Sequence, residues 1–438
     1  MSDQWVVFLL FVAVFAGIVS EKLDKVVIVL GGAIVLVLAG YLKFEQAVEA
    51  IDFNTIGLLF GMMLLVGCLV ELRVFDVIAM KLGLLTRGSP PLIFFAFGAA
   101  TAVLSAFLDN VTTVLVMIPL VISLTQGIGV DPRPYVLGVI FMSNIGGTAT
   151  LIGDPPNILI GSRVPSLTFV AFMQYLTLPV IVAGIAVSLY VRAVRRRDIQ
   201  RRDGSFTWLF ASNLVLEQMR RRASELHVPT KTLVQAGAVG AITLIGFFTH
   251  PLTHVEPAVV AIAGATLALT VFSRRLDLHH TVARVEWPTL LFFCGLFVVV
   301  GGVEHVGLLE LAAHFLTSLT DNLWGQLMIV LWASAILSAI VDNIPFVAVM
   351  IPILTTLTES ETFASQPNVH LLWWALSLGA CFGGNGTAIG ASANVVSVAI
   401  ARSRGVSISF PEFLRLSVPV TAISVLVASV YLTILNLF

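Results

Sequence analysis

A polar passage inside a long apolar run occurs twice in this chain. Residues 105–119 read SAFLDNVTTVLVMIP, and residues 338–352 read SAIVDNIPFVAVMIP, at a constant offset of 233. A Gly-rich break follows each passage: residues 146–157 read GGTATLIGDPPN, and residues 383–394 read GGNGTAIGASAN. Interrupted hydrophobic segments in matching positions of two halves indicate the binding site of a secondary transporter.

The composition is that of a polytopic membrane protein. Hydrophobic residues make up 58% of the 438 residues and charged residues only 11%. Apolar stretches close to the ~20 residues needed to cross a bilayer recur along the chain, which excludes a soluble domain. The three cysteines lie in apolar runs without metal-ligand spacing, so we expect no disulfide framework, zinc site or other cofactor. The first apolar stretch lacks a preceding basic region and is interpreted as a membrane helix, not a cleaved signal.

Ten spanning segments are predicted, five in each half. They are residues 5–20, 26–41, 55–71, 135–161 and 168–192, and then 232–249, 255–272, 288–304, 370–402 and 412–438. The fourth segment of each half contains the Gly-rich break and is predicted to be a broken helix. The duplicated polar passages lie in two further apolar stretches, 91–126 and 324–358, each either two crossings or one re-entrant hairpin.

The distribution of basic residues favours hairpins. Each half then has five crossings, an odd number, and the halves are inverted in the membrane. With the Arg-rich segment 192–231 in the cytoplasm, 22 of the 24 Lys and Arg residues fall inside, and only Lys43 and Arg163 fall outside. The predicted fold is therefore all-α, with two inverted repeats of five transmembrane helices and one re-entrant hairpin each. The repeats are 1–192 and 232–438, joined by a basic linker at 193–231. Both termini are predicted to be external. We expect the protein to be integral to a membrane, which is the inner membrane if the protein is bacterial.

The linker has two interpretations. Its basic clusters, Arg195–Arg197, Arg201–Arg202 and Arg220–Arg222, alternate with aromatic and aliphatic residues. An interfacial helix on anionic membrane lipid would have this pattern, and so would a solvated positive-inside linker. Neither interpretation assigns chemistry to the segment.

The two aspartates of the polar passages are candidate ion ligands. A charge at bilayer depth costs at least a few kcal/mol, so Asp109 and Asp342 need a compensating interaction. One explanation is structural: each Asp would cap the helix that follows it. The functional explanation is that both hairpin tips meet near the midplane, where carboxylates and helix ends form an ion site. Sodium would then bind at Asp109, Asn110, Asp342 and Asn343.

The breaks supply further candidate ligands. A broken helix frees backbone groups inside the membrane, which is tolerable where they line a polar cavity. Side chains with hard oxygen atoms accompany them and suit small cations, although a single such residue is equally explained by interhelical hydrogen bonding. The candidates in and near the breaks and tips are Thr112, Thr148, Thr150, Asp154, Asn157, Asn385, Thr387, Ser392 and Asn394.

The two breaks differ in charge. Asp154 of the first break aligns with Ala391 of the second. No Lys or Arg accompanies Asp109, Asp154 or Asp342 within the same hairpin or break. This balance favours a cation, a proton or a neutral solute over a multiply charged anion, and competition between proton and cation at a buried carboxyl would couple their movements.

The strings LDNVTTV at residues 108–114 and NIGGTATLIGDPPN at 144–157 resemble those of the ArsB/NhaD permeases of the ion transporter superfamily, in particular the branch that contains the P protein of pigment cells. The resemblance extends over essentially the whole chain, and GDPPN is its most specific part. It implies inverted repeats, a scaffold and a transport domain, hairpin tips that meet the broken helices at the substrate site, a homodimer and elevator-like alternating access. Related divalent-anion/sodium symporters carry Ser-Asn-Thr at the tips, so Asp109 and Asp342 count against dicarboxylate transport.

Several functions fit these features. Proton-coupled sodium efflux is the leading interpretation, with small inorganic ions and protons as substrates and no nucleic acid. The alternative is arsenite efflux, for which Cys381 near the second break would supply a thiol. Organic or inorganic anion transport and a passive ion conductance are further alternatives. No Walker A string occurs, so ATP would require a separate ATPase subunit. An intramembrane aspartyl protease is disfavoured because Leu151 stands where its Gly-x-Gly-Asp signature needs the first glycine, and we expect no enzyme.

Overall fold

The computed structural model describes residues 3–20, 22–199, 217 and 228–437, and every regular element within these ranges is a helix. The all-α prediction is therefore confirmed. The linker features at 200–216 and 218–227, including the Arg201–Arg202 and Arg220–Arg222 clusters, lie outside the described residues.

The helices repeat in the same order in the two halves. In the first half they are α1 (Asp3–Ser20), α2 (Lys25–Leu38), α3 (Phe44–Glu49), α4 (Phe53–Glu71), α5 (Val74–Leu85), α6 (Pro90–Ser105), α7 (Asn110–Gly127), α8 (Arg133–Gly147), α9 (Pro155–Arg163), α10 (Phe169–Val194) and the one-turn α11 (Arg196–Ile199). In the second half they are α12 (Thr230–Thr253), α13 (Pro257–Val271), α14 (Leu278–Ala283), α15 (Trp287–His305), α16 (Leu308–Leu319), α17 (Leu323–Ile340), α18 (Asn343–Glu359), α19 (Leu371–Gly383), α20 (Ser392–Ser403) and α21 (Phe410–Leu437). The short helices α3, α5, α14 and α16 were not distinguished in the sequence.

Eight of the described helices are long and apolar enough to cross a membrane. They include one arm of each predicted hairpin, α7 and α17. The helices next to the two breaks are shorter because Gly and Pro interrupt them: α8 ends at Gly147, and α9 begins at Pro155. Many outward-facing side chains are large and apolar, such as Leu38 and Leu252, as expected for a surface covered by lipid.

The helices form two packed groups. Helices α1–α4 and α12–α15 form the first group, the frame, in which α2 packs along α15 and α4 packs along α13. Helices α6–α10 and α17–α21 form the second group, the hairpin bundle, in which α6 packs on α8 and α17 packs on α19. Gly146 of α8 lies against Ala102, and Gly383 of α19 lies against Ala335, so closely that a Cβ at either glycine would collide with backbone. These glycines let the broken helices approach the hairpin arms at equivalent places in the two halves.

Candidate functional site

Each hairpin turns back at its aspartate, which caps the second arm. Asp109 accepts a hydrogen bond from the backbone N–H of Thr112 at 2.7 Å. Asp342 accepts a longer one from the N–H of Ile344, at 3.3 Å. The capping explanation therefore holds at both tips, and it leaves the second oxygen of each carboxylate for other partners.

Equivalent hydrogen bonds tie each break to the neighbouring tip. The hydroxyl of Thr150 donates to the carbonyl oxygen of Ala106, and that of Thr387 donates to the carbonyl oxygen of Ala339 at 2.6 Å. Both threonines thereby hold a tip and a break together as one unit.

Two buried asparagines hold the breaks in shape. The amide of Asn157 donates to the carbonyl oxygens of Thr148 and Thr150, at 3.0 and 2.9 Å. At the equivalent place in the second half, the amide of Asn394 donates to the carbonyl oxygens of Gly384 and Thr387, both at 2.8 Å. Carbonyl groups freed by the breaks are thus paired by side chains instead of by helix N–H groups.

These asparagines also connect the two halves. The side-chain oxygen of Asn157 accepts a hydrogen bond from Ser377 of α19, at 2.6 Å. The side-chain oxygen of Asn394 accepts one from Asn144 of α8, at 2.9 Å, and Asn144 also donates to Asn385 at 2.9 Å. Each break is therefore positioned by the broken helix of the other half.

A cavity of about 70 Å³ lies where the tips and breaks face the frame. We call the hairpin tips at Asp109 and Asp342 tip one and tip two, and the Gly-rich breaks at 146–157 and 383–394 break one and break two. The side-chain amide of Asn343 in tip two donates a hydrogen bond to the carboxylate of Asp154 in break one, at 3.4 Å. The cavity is wide enough for a small ion with a few water molecules. Five of the residues that the sequence predicted as ion ligands line this cavity: Asp109, Asn110, Asp154, Asn343 and Ser392.

The other predicted site residues do not line this cavity. Thr112 lies beside an adjoining cavity of about 120 Å³, and Asp342 beside another of about 320 Å³. The remainder form the hydrogen bonds within and behind the breaks: Thr148, Thr150, Asn157, Asn385, Thr387 and Asn394. Their hydrogen bonds shape the site, and a direct part for them in ion binding stays a prediction.

The frame contributes two charged side chains that the sequence did not indicate as site residues. Glu286, which precedes α15, lines the cavity together with Asp109 and accepts a hydrogen bond from Thr289 at 3.1 Å. Lys25, the first residue of α2, also lines it. Its ammonium lies 3.2 Å from the carboxylate of Asp342 and 2.9 Å from the hydroxyl of Ser392.

Lys25 changes the expected charge balance. Asp342 has no basic residue in its own hairpin, but tertiary packing gives it a partner from α2. Around the tips and in the two adjoining cavities, the described residues provide four carboxylates, those of Asp109, Asp154, Glu286 and Asp342, and two positive charges, those of Lys25 and Arg284. The site remains acidic overall.

The cavity is approached from one end of the frame. The two adjoining cavities share lining residues with it, among them Lys25 and Glu286 at the starts of α2 and α15. A cavity of about 600 Å³ lies at the opposite end of α15, beside Glu304 and His305, and has no lining residue in common with the central one. Asp52 and Arg163, 3.9 Å apart, lie towards that opposite end, with Asp52 at the start of α4.

A family profile described as "Citrate transporter" matches residues 15–379. The chain belongs to this CitMHS family. It is 38% identical over 428 residues to an uncharacterized transporter of Mycobacterium tuberculosis, covering 97% of this chain and 96% of that one. The human P protein is 33% identical over 468 residues, covering 90% of this chain and 54% of the P protein. The resemblance to the P protein is confirmed, whereas the ArsB/NhaD assignment is not confirmed: the family shown is CitMHS.

Among solved structures, the YdaH transporter of Alcanivorax borkumensis has a similar fold. The TM-score is 0.56 at 16% sequence identity, and the likeness covers 89% of this chain and 87% of the other. At this identity the similarity concerns the fold alone. It supports a membrane transporter architecture for this CitMHS member.

Three site residues were missed in the sequence, and one of them had a signal there. Asn144 stands at the start of the NIGGTATLIGDPPN string, one turn before the glycines, so its position beside the break was available. Glu286 and Lys25 had no such signal, because each stands at the end of a frame helix among other charged residues. Cys381, considered for arsenite, is buried behind the cavity with its sulfur 3.6 Å from the side-chain oxygen of Asn157.

Proposed function

We propose that this protein is a secondary active transporter that exchanges protons for a small inorganic cation, with sodium as the first candidate. The observation that carries the proposal is the cavity in which Asp109, Asp154 and Glu286 converge from three different elements. An ionised carboxylate out of water is costly unless a positive charge accompanies it. Either a proton or a bound cation supplies that charge, and the two then compete for the site.

The ligand set supports a small hard cation. Asp109, Asp154 and Asn343, whose side chains have carboxylate or amide oxygens, line the cavity together with Ser392. Oxygen atoms of this kind suit hard cations, whereas a soft solute would prefer sulfur. Among the described residues that line the cavity, the oxygen-bearing side chains outnumber any sulfur ligand, and the thiol of Cys381 reaches the site only through its contact with Asp154.

We propose elevator-type movement as the transport step. The tips and breaks belong to one packed group, the hairpin bundle, and the helices opposite belong to the frame. A sliding of the hairpin bundle towards Glu304 and His305 would bring the site to the large cavity at that end. With the predicted topology, the present arrangement faces the cytoplasm and the large cavity faces outside.

The test uses proteoliposomes with an imposed pH gradient and an internal pH indicator. Adding sodium should dissipate the gradient in vesicles with the protein and leave empty vesicles unchanged. Lithium, potassium, citrate and arsenite are compared in parallel, and neutral arsenite is scored by uptake. Sodium flux that ignores the pH gradient would contradict exchange and indicate a passive conductance.

Carboxylate transport is the second candidate, favoured by the family description and by Lys25. The N-termini of α18 and α20, at Asn343 and Ser392, border the cavity beside this ammonium, and helix N-termini favour anions. Saturable citrate uptake that depends on the pH gradient and is lost in Lys25→Met would establish it. The acidic balance of the site favours the cation.

A further inference from the structure

The two hairpin tips present duplicated half-sites with different charges. Half-site one consists of Asp109 and Asn110 with Asp154 of its break, and half-site two consists of Asp342 and Asn343 with Ala391 and Ser392 of its break. Half-site one therefore has two carboxylates. Half-site two has one carboxylate, and the ammonium of Lys25 rests on it.

The contacts of Lys25 are those of a bound cation. Its nitrogen lies 3.2 Å from Asp342 Oδ2 and 2.9 Å from Ser392 Oγ, and Ser392 Oγ lies 3.4 Å from the same carboxylate oxygen. The aromatic ring of Phe292 lies 5.1 Å from the nitrogen, within the range of a cation–π interaction. Two oxygens and a ring thus surround one positive charge, contributed by three elements of the chain.

The position of Lys25 is unfavourable for its own helix. It is the first residue of α2, and a positive charge at a helix N-terminus opposes the helix dipole. The side chain of Asp24 caps the helix through Val26, so the cap does not use Lys25. The compensating interactions of Lys25 are those with the tip.

Tip two is also held in a different backbone conformation from tip one. Asp342 has φ of 71°, in the left-handed region that non-glycine residues rarely adopt, whereas the equivalent Asp109 has φ of −64°. The capping hydrogen bond from the backbone N–H to the carboxylate is 2.7 Å at Asp109 and 3.3 Å at Asp342. The other carboxylate oxygen of Asp342 faces Lys25. The ion pair accompanies a strained turn that the first tip lacks.

We propose that Lys25 is a tethered cation that fills the second of two duplicated ion half-sites, so that only half-site one binds an exchangeable cation or proton. Lys25 thereby determines how many ions the transporter carries. The inference rests on the proposed cation–proton exchange. The charged groups that face the ammonium are Asp342 of tip two and, across the same cavity, Asp109, Asp154 and Glu286.

The first measurement is the infrared absorption of protonated carboxyl groups in purified protein, compared among wild type, Lys25→Met, Lys25→Arg and Lys25→Met/Asp342→Asn. Lys25→Met should gain a protonated carboxyl band in sodium-free buffer, because Asp342 loses its resident cation and takes up a proton. Lys25→Arg should not gain the band, and the double variant should lose it. Absence of the band in Lys25→Met, or its persistence in the double variant, would overturn the assignment to Asp342.

The second measurement separates a tethered cation from a merely structural ion pair. Titration with sodium, and in parallel with lithium and potassium, should remove the new band in Lys25→Met. Equilibrium binding of radioactive sodium should rise from one ion per chain in wild type to two in Lys25→Met and return to one in the double variant. A band that none of the cations displaces, with unchanged binding, would show that Lys25 only pairs with Asp342 and would overturn the inference.

Failure of the proposed function has a different signature. If wild type binds none of these cations and shows no exchange in vesicles, cation–proton exchange is wrong, whatever Lys25→Met does. If wild type binds one sodium ion and Lys25→Met also binds one, the proposed function stands and the inference about Lys25 fails.

Discussion

At the scale of single residues, identical residue types in the two repeats have different surroundings. Asp109 and Asp342 both cap a helix, but Asp109 faces the cavity with Glu286, whereas Asp342 is paired with Lys25. Asp154 is buried and receives a hydrogen bond from Asn343. Asp109, Asp154 and Glu286, for which the described residues provide no ion pair, are therefore the stronger candidates for exchange.

We expect Asp109→Asn and Asp154→Asn each to abolish exchange with little loss of folded protein. Asn is as good a helix cap as Asp, so the Asp109 variant keeps its cap and loses only the titratable charge. Initial rates against pH in proteoliposomes measure the effect. Asp277→Asn is the matched control, because Asp277 caps α14 through the N–H of His279, away from the cavity. Wild-type exchange rates in both the Asp109 and the Asp154 variant would show that these two carboxylates have only structural roles.

At the scale of elements, the breaks are irregular but almost fully hydrogen-bonded. Side chains of Asn157 and Asn394 replace the N–H groups that an uninterrupted helix would have supplied. The hydroxyls of Thr150 and Thr387 then join each break to its tip. Backbone of this kind is tolerated inside a membrane because side chains of the protein pair with carbonyls that the breaks set free.

Asn157→Ala and Asn394→Ala should each destabilise the protein substantially. Asn157→Ala removes the partner of two carbonyl oxygens, those of Thr148 and Thr150, at about 1–3 kcal/mol for each unsatisfied group. Asn394→Ala removes the partner of the Gly384 carbonyl oxygen, whereas that of Thr387 keeps the N–H of Gly390, so its effect should be the smaller of the two. Thermal unfolding in detergent measures the loss, with Thr358→Ala, which removes an exposed hydroxyl, as the control. A melting temperature equal to that of the control would contradict the assigned role of the asparagines.

A charged cluster joins the loop after hairpin one to the ends of α10 and α21. Asp131 pairs with Arg133 at 2.8 Å, and Arg195 pairs with Glu412 at 3.4 Å. Burial opposes ionisation of Asp131, but hydrogen bonds and charge from Arg133 and Arg195 outweigh it and lower the pKa of that carboxyl. Its stabilising effect is therefore present above the unfolded pKa of about 3.9 and is lost as the pH falls through the lower folded value.

Asp131→Asn should lower stability near neutral pH, by about 0.2–1 kcal/mol, the usual range for an exposed ion pair. The difference from wild type should disappear as the pH falls below the folded pKa, because wild type then loses the same charge. Thermal unfolding across this pH range tests it, with the exposed Glu361→Gln as control. A difference that is independent of pH would mean that packing, and not charge, accounts for the effect.

At the scale of the whole molecule, the two halves contribute equivalent helices to both the frame and the hairpin bundle. The central site is approached from the Glu286 end of the frame, and the large cavity lies at the Glu304 end. Alternating access requires that these ends face opposite sides of the membrane. The predicted inversion of the repeats supplies that arrangement.

Cysteine labelling tests the inversion. Single cysteines at two exposed positions, Gln126 in the last turn of α7 and Glu361 just after α18, should react from opposite sides, Gln126 from the cytoplasm and Glu361 from outside. A cysteine at the exposed Lys43 should react from outside, like Glu361. Impermeant maleimide on intact and on permeabilised cells distinguishes the sides. Reaction of Gln126 and Glu361 from the same side would exclude inverted repeats.

The sequence alone predicted the features that depend on local physical chemistry. Apolar length predicted membrane helices, Gly and Pro predicted where helices break, and the two Asp-Asn pairs predicted the caps at Asp109 and Asp342. These effects act within a turn or two of the chain, so their signals are contiguous. The predicted site residues consequently lie at the tips and breaks, only some of them line the cavity, and their part in ion binding stays a prediction.

Tertiary structure decided which of these residues face the cavity and which charges accompany them. Lys25 reaches Asp342 across 317 positions of sequence, and Asn144 reaches Asn394 across 250. Neither pairing has a sequence signal, because a side chain's partners depend on how helices from both halves pack, and charge compensation inside a membrane acts through space. The duplicated pattern therefore predicted where a site would lie, and the packing of α2 and α15 near the tips determined which charges surround that place.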